Sequence, residues 1–247
     1  MKNHQISGRS RKYWLVGVIG SAVLFMFSCE RIIDTPKDKL PAELQFEFSL
    51  QEYSLTEDKQ GASNFSIDRG QLVLENIEFD GRRQQAAQSI YFISDFPDPL
   101  SIDLVPQGYQ ADFHFEIPQG IYDMIEMTFH LGADQHASLV MEGQFRRGNL
   151  EPVAVRFEYT YREQIRVRAT PGDNQDNIIF SKEEPSTANV ELNTGSLLRL
   201  VNFGMLVQAE VIEVDGQDVI FIDGSTNTGL FNSISARLNN AFTLVIE

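Results

Sequence analysis

The chain has 247 residues, of which 42% are hydrophobic and 22% charged, with a formal net charge of −15 and one cysteine. So acidic a surface repels phosphate backbones, which argues against a nucleic-acid partner. With a single thiol no internal disulfide forms, so stability must come from an apolar core, and a chain of this length can bury one.

Lys2, Arg9, Arg11 and Lys12 are the only formal charges before Glu30, and the stretch from Tyr13 to Ser28 carries none. A basic head, a short apolar run and a small residue before a cleavage point make a secretory signal. A spanning helix needs about 20 apolar residues, so an uncleaved anchor helix is the second choice. The residues "FMFSC" resemble the lipobox of bacterial lipoproteins in its looser Bacteroidota form, with Ser28 at the small position and Met26 in place of the usual leucine. That resemblance implies acylation of Cys29, removal of residues 1–28 and a lipid anchor. A single acyl chain holds a protein only marginally, and the diacylglycerol plus amide-linked chain of such lipoproteins overcomes this. Glu30 follows the cysteine, which favours the outer membrane, with the domain facing the periplasm or the cell surface. Residues 29–42, with two prolines and alternating charges, read as a tether.

From Glu43 the period becomes two. "ELQFEFSLQ" puts Leu44, Phe46, Phe48 and Leu50 on one face of a half-buried strand. "NFSI" and "QLVLENIEF" run to an expected turn at Asp80–Gly81, and "SIYFI" and "LSIDLV" flank the proline-rich "DFPDP". "DFHFEI" meets "IYDMIEMTFHL" across Pro118–Gln119–Gly120. "ASLVMEGQF", "EPVAVRFEYTY", "QIRVRA" and "NIIF" complete a series of short alternating segments. This layout predicts a mainly β fold, an antiparallel β-sandwich over residues 43–185. In the last third, 186–247, "TANVEL" and "TLVIE" read as strands and "EVIEVDGQDVIFID" as a hairpin turning at Asp215–Gly216. Two short helices are expected there, one carrying Leu198, Val201, Met205 and Leu206, the other Leu230, Phe231, Ile234 and Leu238. This segment either packs on the same domain or stands as a second one.

Pro118, Gly120 and Tyr122 form a P-x-G-x-Y turn that resembles prealbumin-like and related immunoglobulin-like sandwiches of exported proteins. The layout as a whole resembles Bacteroidota lipoproteins with one β-rich domain. Both likenesses imply architecture and transfer no catalytic residue.

Chemistry is sparse in the sequence. The loops "PGDNQDN" (Asp173, Asp176) and "VDGQDVIFIDGSTN" (Asp215, Asp218, Asp223, Asn227) offer oxygen ligands without the alternating register and closing glutamate that calcium favours, and read as Asx-type turns. His114, His130 and His136 form no HxxxH pair, so no metal or cofactor is expected. There is no G-x-S-x-G elbow, and carboxylate pairs such as Asp95 and Asp98 carry little information in so acidic a chain. The basic stretch "YREQIRVR" sets Arg166 and Arg168 on one strand face with Arg162 near, and Tyr159 and Tyr161 beside it. These five are the candidate ligand-binding residues, able to clamp an anion, although cross-strand carboxylates commonly answer such arginines. The expectation is a lipid-anchored envelope module without catalytic activity, binding a protein or glycan or serving a surface assembly or adhesin. An adhesin would release the strand "LQFEFSL" to a neighbour; pairing within its own sheet is the plainer fate. The alternative is an accessory lipoprotein capturing glycans or peptides beside an outer-membrane transporter, with Tyr91, Tyr109, Tyr159 or Tyr161 as platforms.

Overall fold

The computed structural model describes residues 40–56, 64–84, 88–132, 137–173 and 175–247. The chain opens with β1 (Pro41–Gln51), whose Leu44, Phe46, Phe48 and Leu50 are all buried, and a short β2 (Tyr53–Thr56). Next come β3 (Asn64–Arg83), β4 (Gln88–Leu104), β5 (Tyr109–Pro118), β6 (Gly120–Leu131) and β7 (Leu139–Arg146). After these lie β8 (Val153–Tyr159), β9 (Glu163–Arg168), β10 (Thr170–Pro171), β11 (Ile178–Phe180) and β12 (Ser186–Asn193). Helices α1 (Thr194–Leu197) and α2 (Phe203–Val207), strands β13 (Ile212–Val214) and β14 (Gln217–Ile222), helix α3 (Thr228–Ser235) and β15 (Phe242–Ile246) follow.

The fold is mainly β, in two sheets. The smaller has the order β10-β15-β12-β1-β5. The larger forks at β3, which pairs with β2 and β4 along one edge and with β7 and β6 along the other. One branch continues β7-β8-β14-β13, and the other leads from β6 to β9 and β11. A single apolar cluster joins the inward faces of both sheets. Phe48 of β1 meets Phe129 of β6 edge-on at 6.1 Å, and Phe92 of β4 meets Phe115 of β5 at 5.2 Å. Such offset and edge-on contacts are the favoured geometry of aromatic pairs.

The expected purely antiparallel layout is corrected at three places. β1 pairs β12 in parallel, β15 pairs β10 in parallel, and β8 pairs β14 in parallel. Alternation reports which face is buried, not the direction of the neighbour, so these pairings leave no local mark in the sequence. Residues 186–247 supply β12 and β15 to the smaller sheet and β13 and β14 to the larger. β1, flanked by β12 and β5, lies inside its sheet.

Two turn expectations also change. β3 runs unbroken through Asp80 and Gly81, paired on both sides. Gly81 is needed for space, because a Cβ there would stand within 2.9 Å of the Phe79 and Tyr122 rings. "DFPDP" does not separate two strands; Leu74 pairs Leu100 and Asn76 pairs Asp95, so Phe96 to Pro99 bulge out opposite Glu75. The Asp215–Gly216 turn forms as expected, with both residues at positive φ, 50° and 80°, as a tight hairpin requires.

Pro118–Gln119–Gly120 carries the chain from the smaller sheet to the larger. The Tyr122 hydroxyl donates to the Pro118 carbonyl at 2.8 Å, and the buried Arg83 guanidinium donates to the Gln119 carbonyl at 2.9 Å. The first expected helix is split into α1 and α2, because the Asn202 side chain accepts from the Met205 amide and starts a new turn there. Leu198, Val201 and Leu206 are buried and Met205 half-buried. The second matches α3 and the 3-10 turn Leu238–Asn240, burying Leu230, Phe231, Ile234 and Leu238.

Candidate functional site

A groove of about 780 Å³ opens on the outer face of the larger sheet. Its origin is a break in β3. Ile67 pairs Gly143 and Arg69 pairs Glu142, which leaves Asp68 as an extra residue, a β-bulge. Gly143 permits the close approach of the two backbones, since a Cβ there would lie 1.9 Å from the Ser66 carbonyl oxygen. Beyond β7 and β8, the hairpin β13–β14 forms the other wall with Asp215, Gln217 and Asp218.

An ion network makes the floor. The Glu142 carboxylate receives Arg69 Nε at 2.7 Å on one oxygen and Arg156 Nη1 at 2.5 Å on the other. Arg156 also donates to Glu158 at 2.7 Å. Burial works against the Arg156 charge, but Glu158 and then Glu142 outweigh it and hold its proton more tightly than usual. The two arginines and two glutamates neutralise one another. Asp68, Asp215 and Asp218, all exposed, are answered by no cation among the described residues, so the open walls are acidic.

The five candidates read from "YREQIRVR" do not converge. Arg166 and Arg168 point outward on β9, and Arg166 Nε reaches Glu126 on the adjoining β6 at 3.3 Å. Arg162 lies before β9 and pairs with Glu75 at 3.1 Å in a cleft of about 480 Å³ shared with His130, Glu163 and Gln164. Tyr159 is buried, its hydroxyl donating to Glu163 at 2.8 Å, and burial and then Glu163 push its pKa up to about 12. Tyr161 is exposed and packs against Phe231 and over Gly224. Of the other tyrosines considered as platforms, Tyr109 is half-buried and Tyr91 stands out from β4.

Cys29 and His136 lie outside the described residues. Among those described, no helix is long and apolar enough to cross a membrane, and no three His, Cys, Asp or Glu side chains gather to hold a metal ion. Asp223 instead locks its own turn, accepting from the Ser225 and Thr226 amides at 2.8 and 2.5 Å. Burial alone would raise its pKa; those hydrogen bonds bring it below the usual carboxylate range. Asn227, at φ 52°, accepts from the Glu210 amide and donates to the Glu210 and Phe221 carbonyls. His130 Nε2 contacts Glu78 at 2.7 Å. In the sequence the groove leaves one signal, Gly143 inside a strand pattern, which marks a bulge.

Comparison with known families, curated proteins and solved structures finds no match for this chain.

Proposed function

We propose that this chain is a β-sandwich binding module without catalytic activity, tethered to a membrane of a bacterial envelope by an acylated Cys29. The two sheets closing on one phenylalanine-rich core support the sandwich reading. The observation that carries the binding reading is the groove, a built concavity with a rigid sheet floor, internally neutralised arginines and glutamates, and acidic walls. Charges already satisfied by one another are suited to shaping a surface rather than to moving protons. The unneutralised Asp68, Asp215 and Asp218 favour a ligand of the opposite sign. Among the described residues no aromatic ring lines the groove, which suits an extended basic polypeptide better than a sugar ring.

The test is binding of the protein to arrayed lysine- and arginine-rich peptides and to glycans, beside the variant Asp215→Asn/Asp218→Asn. The expected result is peptide binding that weakens with salt and drops about tenfold in the variant, the worth of roughly 1.4 kcal/mol. Peptide binding indifferent to the variant would remove the groove from the proposal. Binding to glycans alone would replace it with the nutrient-capture reading.

A further inference from the structure

Strand β4 presents an open edge. Its residues Ser89 to Asp95 pair with Arg82 to Asn76 of β3, and among the described residues no strand pairs with the other side. Natural edge strands are commonly blunted by charge, proline or a bulge. β4 uses all three, but only from Asp95 onward, where Asp95, Pro97, Asp98 and Pro99 accompany the bulge. The preceding Ser89 to Ser94, "SIYFIS", has no charge and no proline. Its outward side chains are apolar as well: Tyr91 is 58% and Ile93 47% exposed. Open backbone groups and large apolar side chains on one uncharged edge are what a second strand would cover.

We propose that this edge is a self-association surface, on which β4 of one copy pairs antiparallel with β4 of a second copy about a two-fold axis at Phe92. The register is self-complementary. Residues opposite one another in an antiparallel pair share a face, so Tyr91 meets Ile93 of the second copy, and Ile93 meets its Tyr91. Aromatic and β-branched side chains are favoured cross-strand partners. One step outward, Ser89 faces Asp95 of the second copy. Ser89 also stands beside Arg82 of β3, so the small serine lets the long guanidinium reach across to that carboxylate. Arg82 is exposed, with Asp123 at 2.8 Å on its far side. Two symmetric Arg82–Asp95 pairs thus flank a central quartet of Tyr91 and Ile93 side chains. Behind the quartet, Asp80 and Glu78 of β3 stand beside Tyr91 and Ile93, and the Tyr91 hydroxyl donates to Glu78 at 3.2 Å, so the Arg82 guanidinium is the charge that offsets carboxylates on this face. A closed two-fold pairing uses up both edges and does not propagate into a fibre.

The experiment uses the full chain in cells. A compact aliphatic diazirine residue, short enough to leave Arg82 its path, replaces Ser89, and the same probe replaces the distant, 65% exposed Leu150 as a control. Irradiation is expected to give a covalent dimer of the chain from position 89 and at least tenfold less from position 150. With the probe at 89, Tyr91→Lys/Ile93→Lys sets like charges across the axis and abolishes the dimer. Tyr91→Glu/Ile93→Lys sets opposite charges across it and restores the dimer. A position-89 adduct to a different protein, no adduct, or a dimer that survives the lysine pair overturns the proposal. So does failure of the glutamate–lysine pair to recover it in a chain that still resists protease.

Discussion

Tyr122 concentrates several roles in one side chain. Its ring packs edge-on against Phe79 at 6.3 Å and Phe180 at 5.1 Å, and its hydroxyl holds the Pro118 carbonyl at the passage between the sheets. Burial pushes its pKa from the ordinary 10.0 to about 12, with Arg83 pulling weakly the other way. Tyr159 is raised to about the same value by burial and then by Glu163. A folded-state pKa above the unfolded one means that the native state holds the proton more tightly. The stability this represents is complete below about pH 10 and is lost as pH rises through about 12. Urea midpoints of the native chain should therefore fall between pH 9 and 11.5, and fall less steeply in Tyr122→Phe/Tyr159→Phe. That variant also starts lower at pH 7, by about 1 kcal/mol for each hydroxyl bond removed. Identical pH slopes would show that neither tyrosine drives the alkaline loss. The P-x-G-x-Y motif was legible because proline, glycine and tyrosine at that spacing have few other uses. Arg83 was not, since a buried cation looks in sequence like any strand-end arginine.

Among the elements, β12 has the most consequence for stability. It sits between β1 and β15, so removing it leaves the buried Leu44, Phe46, Phe48 and Leu50 with one ladder instead of two. Fully burying side chains of this size is worth about 1.5–3 kcal/mol each, comparable in sum to the stability of a whole domain. A chain ended at Pro185 should then give no cooperative thermal transition by circular dichroism and should be degraded rapidly by protease; a sharp transition would mean that the first part folds alone. The individual strands were readable because their alternation is local. The dipeptide Asp-Gly predicts a turn at both 80–81 and 215–216, and makes one only at 215–216. At 80–81 the residues on either side already have partners on both edges, and the glycine answers the crowding of two rings. The split between α1 and α2 was hidden because the apolar spacing continues across Asn202, and only its capping bond reveals a new start. The groove was hidden for a related reason: a bulge is a mismatch between two strands, so neither strand shows it by itself.

For the whole molecule, the acidic balance and the single cysteine bear on attachment. The acidic surface does not attract anionic head groups, so the lipid must do the holding if the chain is anchored as proposed. Cells fed a clickable fatty acid should label the native chain and leave Cys29→Ala unlabelled and released from membranes. Retention of an unlabelled native chain would instead make residues 13–28 an uncleaved helix. The groove and the open β4 edge lie on different parts of the larger sheet, the one between β3, β7, β8 and the β13–β14 hairpin, the other along β3's opposite side. Loss of ligand binding and loss of pairing between copies are accordingly separable by mutation.

The parallel pairing of β1 with β12 has a temporal side. Leu44 finds its neighbour at Ser186, and Leu50 at Leu192. A chain that emerges amino end first presents a strand with two core phenylalanines long before that neighbour exists. At the pace of synthesis, about 5–20 residues per second, the wait is on the order of ten seconds. β5 can join β1 in that interval, but the ladder to β12 stays unmade and its long-range closure is still to be paid in entropy, which makes folding slow and aggregation-prone. The smaller sheet is therefore a late event, completed from the carboxyl end, and a factor that shelters Phe46 and Phe48 in the interval should raise the yield of folded chains.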